Sequence, residues 1–306
     1  MRRVAFAAIG FGFFLLAPYV LRDFQLFQLC LIAGTAVIVL GLVVVTGMAG
    51  QISLAQSAFV AVGSYGSVIL ADKCHIPLWA GIPISAVGAA FVGFALGQIT
   101  LRVAGHYLAL ATLAFTAIVQ LILIHADDLT GGAAGMPVPA FAIGSLVFSK
   151  AGQLYYVIVP AAATAFLIFA NLLRSRFGRM LAAMRQSDIA TASVGIDVLR
   201  CKALAFAASA FLGALGGGLL APLTSYLDPA QFGVIEAISL LAMAVIGGMR
   251  SPIGAILGSA IFILLPEALQ HFQTYLGLIF ALLLCVSIVA RPDGLASLRL
   301  NLGRGR

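Results

Sequence analysis

At 306 residues, the chain is 62% hydrophobic and only 9% charged, against about 25% charged for an average soluble domain. So few polar groups cannot cover a water-soluble fold of this size, and lipid is the solvent for most of the chain. The net charge of +7 does not point to nucleic acid, because the basic residues sit between apolar blocks and form no continuous stripe.

The apolar blocks run to roughly 17–25 residues, the length that carries a helix across ~30 Å of hydrocarbon. In chain order they predict spans near 4–21, 26–46, 52–71, 78–101 and 107–124, then 153–173, 203–222, 235–249, 253–270 and 275–290. The first follows Met1-Arg2-Arg3, the charge-then-apolar order of a signal peptide. Its apolar run is long, and its exit, Pro18-Tyr19-Val20-Leu21, offers no small-x-small site, so it reads as a retained span. The junctions 47–50 and 247–252 are too short for ordinary loops and predict tight turns or broken helices. The expectation is an all-α, polytopic transmembrane helical bundle of about ten spans, forming a single domain over 1–306.

Orientation follows from charge, since Lys and Arg accumulate on the cytoplasmic side. With the N-terminus inside, one face receives all of the 17 basic residues except Arg22, Lys73 and Lys150. Most acids, including Asp23, Asp72, Asp127, Asp128 and Asp228, fall on the poor face. An even number of spans with both termini cytoplasmic fits that partition.

No catalytic set gathers anywhere. His75, His106, His125 and His271 lie at span ends or in loops, where interfacial solvation accounts for them. Cys30, Cys74, Cys201 and Cys285 lie far apart, with no metal-ligand spacing. Gly10-Phe11-Gly12 has no preceding strand, and no GxxxxGK[ST] occurs, so any ATP site belongs to another chain. Coupling to an ion would call for carboxylates inside the spans, and only Glu236 and Glu267 qualify. Both map near outer span ends and read as interfacial or structural.

Uncharged polar residues form two stripes at helical spacing: Ser53, Gln56, Ser57 and Ser64 in the third span, and Thr112, Thr116 and Gln120 in the fifth. They fit either the lining of a solute pathway or hydrogen bonds between helices. Gly213 and Gly217, with Ala210, Ala214 and Gly218, place small residues four apart in the seventh span and predict close helix packing. A loosely repeated element, Thr46-Gly47-Met48 then Ile52, recurs as Gly247-Gly248-Met249 then Ile253.

Two loops stand out. The outer loop, about 126–152, is rich in glycine, proline and acid, and its exposure suits either a connector or a contact. The basic loop, about 174–202, holds a short helix: Ser187 caps a start at Asp188, whose charge suits the helix dipole, and Gly195 ends it. So short a helix needs something to pack against, either a cytoplasmic partner or its own bundle.

At this point the residues resemble the permease subunits of ATP-binding-cassette importers for branched-chain amino acids, of the longer type that pairs with a second, related permease. The likeness rests first on 46–56, Thr46-Gly47-Met48-Ala49-Gly50-Gln51-Ile52-Ser53-Leu54-Ala55-Gln56, where that family typically has GxxGQxSLGQ. It continues through His106-Tyr107-Leu108-Ala109-Leu110-Ala111-Thr112-Leu113, Leu129-Thr130-Gly131-Gly132 and Ser175-Arg176-Phe177-Gly178-Arg179. Arg185 to Asp188 with Gly195-Ile196, then Gly247-Gly248 and Arg291-Pro292-Asp293-Gly294-Leu295 complete the set. Ala55 departs from the usual glycine, and Ala133-Ala134 replaces polar residues common after the double glycine.

The resemblance implies translocation of a small polar solute by alternating access in a bacterial inner membrane. Branched-chain amino acids lead, while related permeases carry urea, short amides or aromatic acids. It implies a coupling helix that contacts one of two ATPase subunits, here Arg185, Ser187, Asp188, Ile189, Ala190 and Gly195. Gln51, Ser53, Gln56, Ser57, Thr112, Thr116 and Gln120 become candidates for the path, and Thr130, Gly131 and Gly132 for contact with a periplasmic solute-binding protein. No cofactor or metal is expected on this chain; ATP and Mg belong to the partner ATPases. An ion-coupled carrier or channel is the alternative.

Overall fold

The computed structural model describes residues 18, 21–100, 106–144, 146–148, 150–269, 279, 280 and 282. The expected first and tenth spans, 4–21 and 275–290, lie outside the described residues save for isolated positions. Between them run α1 (Asp23–Leu42), α2 (Gln56–Lys73), α3 (Leu78–Thr100), α4 (His106–His125), the short α5 (Asp127–Thr130) and α6 (Ala151–Arg174). There follow α7 (Arg176–Gln186), α8 (Asp188–Ser193), α9 (Val198–Thr224), α10 (Val234–Gly247) and α11 (Pro252–Ala268). Four short strands, β1 (Met136–Pro137), β2 (Phe141–Ile143), β3 (Leu146–Phe148) and β4 (Tyr226–Leu227), form two ribbons, β1 with β4 and β2 with β3.

The fold is all-α and multi-pass. Among the described residues, five helices are long and apolar enough to cross a membrane, and a sixth span arises if α10 and α11, bent by 118° at their junction, count as one broken span. These five coincide with expected blocks, because the chain leaves the helix where Gly, Pro or charge interrupts an apolar run. The block expected at 52–71 is helical only from Gln56 and is not among the five, and the blocks expected at 235–249 and 253–270 form the bent pair. Both short junctions are indeed irregular. The end of α1 loosens into a π turn over Val43–Met48, followed by Gly50 at φ +71°, and α10 ends at Gly248 with φ +114°.

α9 is the central post, packed against α1, α2 and α3. Its small residues do what the four-residue spacing predicted. A Cβ on Gly63 of α2 would lie 2.1 Å from the Ala214 carbonyl oxygen, and one on Gly217 would lie 2.4 Å from that of Val60. A Cβ on Gly97 of α3 would meet the Ala203 backbone at 2.7 Å. Side chains leave these crossings to backbone, so dispersion contacts and weak Cα–H···O bonds replace the hydrophobic effect that lipid cannot supply.

The helix ends sort into two layers. At one, Lys73 donates to the Asp128 carbonyl, Gln28 to the Glu267 carboxylate, and β1 lies on β4. At the other stand the arginine-rich α7 and the short α8 with the junctions 47–50 and 247–252.

Gly63→Val should lower the unfolding midpoint in detergent by the equivalent of about 1–3 kcal/mol, the cost of overpacking a closed contact. Gly88→Ala, where nothing lies within 4 Å, should leave it unchanged or raise it. A thermal unfolding series on the two variants checks the contrast.

Candidate functional site: a capped helix, two broken junctions and a polar seam

Ser187 closes one helix and opens the next. Its extended backbone, φ −163° and ψ 119°, ends α7, and its Oγ accepts the Ala190 N–H at 3.2 Å to cap α8. Thr191 is 4% exposed and faces the bundle, its hydroxyl donating back to the Ser187 carbonyl at 2.8 Å. Ile189 on the helix and Val194 at its C-cap are 84% and 78% exposed, and Asp188 pairs with Lys202 at the base of α9. Gly195, at φ +83°, terminates the segment in a conformation that L side chains avoid. The sequence-read cap, start and stop all hold, and two aliphatic side chains are held out into the open.

α7 joins this helix to the bundle. Gly178, Leu181 and Met184 form its buried face, while Arg176, Arg179 and Arg185 lie off it. Arg185 reaches across: its Nη1 donates to the Gly47 carbonyl, and its Cγ lies 3.1 Å from where a Cβ on Gly50 would be. The guanidinium satisfies a carbonyl that the loosened end of α1 leaves free. Gly47 also meets the second junction, since a Cβ there would fall 1.7 Å from the Met249 carbonyl oxygen. The two copies of the loose repeat therefore touch, and Arg185 sits on one of them.

Residues 49–55 cross from α1 to α2 without helix, which in a membrane protein requires other partners for the backbone. Thr112 and Thr116, one turn apart on α4, supply them. The Thr112 hydroxyl accepts the Leu54 N–H at 3.0 Å, and the Thr116 hydroxyl donates to the Leu54 carbonyl at 2.8 Å. Ser53 accepts the Ala55 N–H at 3.3 Å. Gln56, 1% exposed, bridges α1, α2 and α9: Nε2 donates to the Ile38 and Ser209 carbonyls at 2.8 and 3.4 Å, and Ser209 Oγ donates to its Oε1 at 2.8 Å.

Of the path candidates, Gln51, Ser53, Gln56, Ser57, Thr112 and Thr116 thus lie on or around this unwound segment, all of them buried. The Ser57 hydroxyl has no hydrogen-bond partner among the described residues. Gln120 lies farther along α4, its Nε2 reaching the Pro229 carbonyl at 3.4 Å, next to Gly233.

At the far layer, Thr130 is 4% exposed: its hydroxyl lies 2.6 Å from the Leu123 carbonyl and accepts the Gly132 N–H at 3.3 Å. Gly131 and Gly132 take left-handed backbone at φ +75° and +61°, and Asp127 occupies the space that a side chain at Gly132 would need. Gly131, Ala133 and Ala134 form the exposed rim, while Tyr226 donates to the Ala134 carbonyl. Sequence reasoning missed the β1–β4 ribbon and the group around Thr35 and Glu236, which shares a cavity of about 540 Å³ with Ser64. The available signal was Glu236 itself, an acid inside an apolar block.

A family model described as the permease component of branched-chain amino acid transport systems matches residues 26–289. The chain belongs to this family. LivM of Escherichia coli (strain K12), a high-affinity branched-chain amino acid transport system permease protein, is 31% identical over 280 residues, covering 84% of this chain and 66% of that protein. The Salmonella typhimurium LivM is 30% identical over the same shares. A probable branched-chain amino acid transport permease, LivH of Methanocaldococcus jannaschii, is 28% identical over 217 residues, 68% of each chain. The chain spans just under two thirds of the length of the two LivM proteins. No solved structure matches it.

In this family member the seam between α2 and α4 rests on two hydroxyls. Thr116→Val should leave the Leu54 carbonyl unpaired and cost about 1–3 kcal/mol of stability, and Thr116→Ser should restore it. Denaturant unfolding in detergent measures both.

Proposed function

We propose that the chain is a membrane-spanning permease subunit of an ATP-binding-cassette importer, moving branched-chain or related amino acids across a bacterial inner membrane. The observation that carries this reading is the capped helix α8, which holds Ile189 and Val194 out from the basic layer in a chain of the branched-chain permease family. An aliphatic pair on a rigid, two-ended cap suits a groove on a partner ATPase. In this reading the basic layer is cytoplasmic, about ten spans cross the membrane with both termini inside, and ATP and Mg reside on two ATPase subunits. A second, related permease completes the translocation unit, and a periplasmic solute-binding protein docks at the layer that carries Thr130, Gly131 and Gly132.

The physical sequence is short. Closure of the ATPases moves α8, and because Lys202 ties α8 to α9 and Arg185 ties α7 to the Gly47 carbonyl, the displacement reaches α1, α9 and the α10–α11 junction together. Alternating access follows if the two arrangements of these helices bind nucleotide-loaded ATPase with different affinity. Ser187, Asp188, Ala190 and Gly195 shape the coupling helix, and Arg185 transmits its movement. Gln51, Ser53, Gln56, Ser57, Thr112, Thr116 and Gln120 form the polar seam beside the path.

Uptake by vesicles containing the complete assembly tests the class: transport should require ATP inside and both ATPase subunits. Uptake driven by an ion gradient without them would instead establish a secondary carrier. For the coupling helix, Ile189→Asp and Gly195→Pro should leave membrane insertion intact and reduce recovery of the ATPase in co-purification by about tenfold or more, the scale of a central interface residue. Proline cannot adopt the +83° φ of residue 195 and would remove its N–H bond to the Ala192 carbonyl. Normal co-purification and transport in both variants would sink the assignment.

A further inference from the structure

The polar side chains of the bundle divide by what they already hold. Gln56, Ser209, Thr112 and Thr116 are committed to hydrogen bonds that join helices. Thr35, Ser64 and Glu236 are not: among the described residues, none of the three side chains makes a hydrogen bond or ion pair. These three come from α1, α2 and α10, and all line the same cavity of about 540 Å³, closed on a fourth side by α9. That volume falls within the ~300–1,000 Å³ typical of small-molecule sites.

Most of the remaining lining is apolar, with Ile38, Val60 and Leu240 forming walls, while Thr224, whose hydroxyl donates to the Ala221 carbonyl, and Gln231 are its other polar members. Gly217 is what keeps the space beside Ser64, because a Cβ there would lie 2.9 Å from the Ser64 hydroxyl. The segment after β4, which includes Phe232, covers the end near the β1–β4 ribbon. A half-buried carboxylate in a membrane bundle is costly without a cation, and the described side chains provide none. The two unspent hydroxyls of Thr35 and Ser64 offer donors in the same cavity, beside largely apolar walls.

We propose that this cavity binds the transported solute as a zwitterionic aliphatic α-amino acid, with the Glu236 carboxylate receiving its ammonium group. Ser64 and Thr35 donate to the solute carboxylate, and the aliphatic side chain lies against Ile38, Val60 and Leu240. The inference rests on the transport reading above and adds to it the group that recognises the amine. It also gives Glu236 a role different from the interfacial one that its place in the sequence suggests.

The test uses the full assembly, with partner permease, ATPases and binding protein, in proteoliposomes supplied with radiolabelled leucine. Glu236→Gln should co-purify with its partners in normal proportion and raise the leucine KM by about tenfold or more, the scale of a hydrogen bond to a charged group. Ser64→Ala should raise it by a smaller factor. In the unaltered assembly, carbodiimide labelling of Glu236, read by mass spectrometry, should be slowed by leucine and not by 4-methylpentanoate, which keeps the aliphatic chain and lacks the amine.

Unchanged leucine kinetics in Glu236→Gln would overturn the site, as would labelling indifferent to leucine or slowed equally by both compounds. If Glu236→Gln does not assemble, the labelling of the unaltered protein decides alone. An unaltered assembly that takes up no aliphatic amino acid would overturn the transport reading and this site with it. Uptake by the unaltered assembly with no effect at Glu236 would overturn only the site.

Discussion

Close backbone approach along α9 is the constraint on which the rest of the molecule depends. In lipid, burying an apolar side chain between helices gains little, so association rests on contact area and on hydrogen bonds that have no competing water. Glycines and alanines of α9 meet Gly63 and Val60 of α2, Gly97 and Gly93 of α3, and Gly34 and Ile38 of α1 at distances that a larger residue would forbid. Once those backbones touch, Gln56 falls between three helices and finds all its partners. The same small residues, at Gly217 and Ala221, leave the space that becomes the cavity.

Breaking a helix inside such a bundle exposes backbone that only neighbours can satisfy. Among the described residues the chain does this at 49–55 and at 247–252, and solves it differently each time. Thr112 and Thr116 hold Leu54 by both of its backbone groups, and Arg185 takes the Gly47 carbonyl. At the second break Gly254 and Gly258 let α11 fold back tightly on α10. The breaks lie against each other through Gly47 and Met249, so a force applied at α7 meets two points where the backbone is already free of regular helix. Rigid helices joined at irregular contacts are the usual means of a small rocking movement.

Much of the coupling helix was legible in the residues. Ser187, Asp188 and Gly195 are local signals, and capping depends on neighbours three or four positions away, so no knowledge of the fold is needed to read them. The apolar blocks likewise located α1, α3, α4, α6 and α9 closely, because the thickness of a membrane sets their length. The two polar stripes were visible but their use was not. A threonine at helical spacing looks the same whether it lines a path or straps a neighbouring loop, and only the position of Leu54 beside α4 separates the two.

Sequence by itself determined the solvent, the helical fold class, the places where helices break and the capped helix in the basic loop, since each depends on composition or on residues close in the chain. Tertiary structure decided the rest. Arg185 finds Gly47 across 138 positions, and Glu236, read from its place in the chain as interfacial, shares a cavity with Thr35 and Ser64. Such meetings depend on how α9 brings α1, α2 and α10 together, and helix packing in lipid is governed by small local shapes that leave no periodic signature at the partner's position.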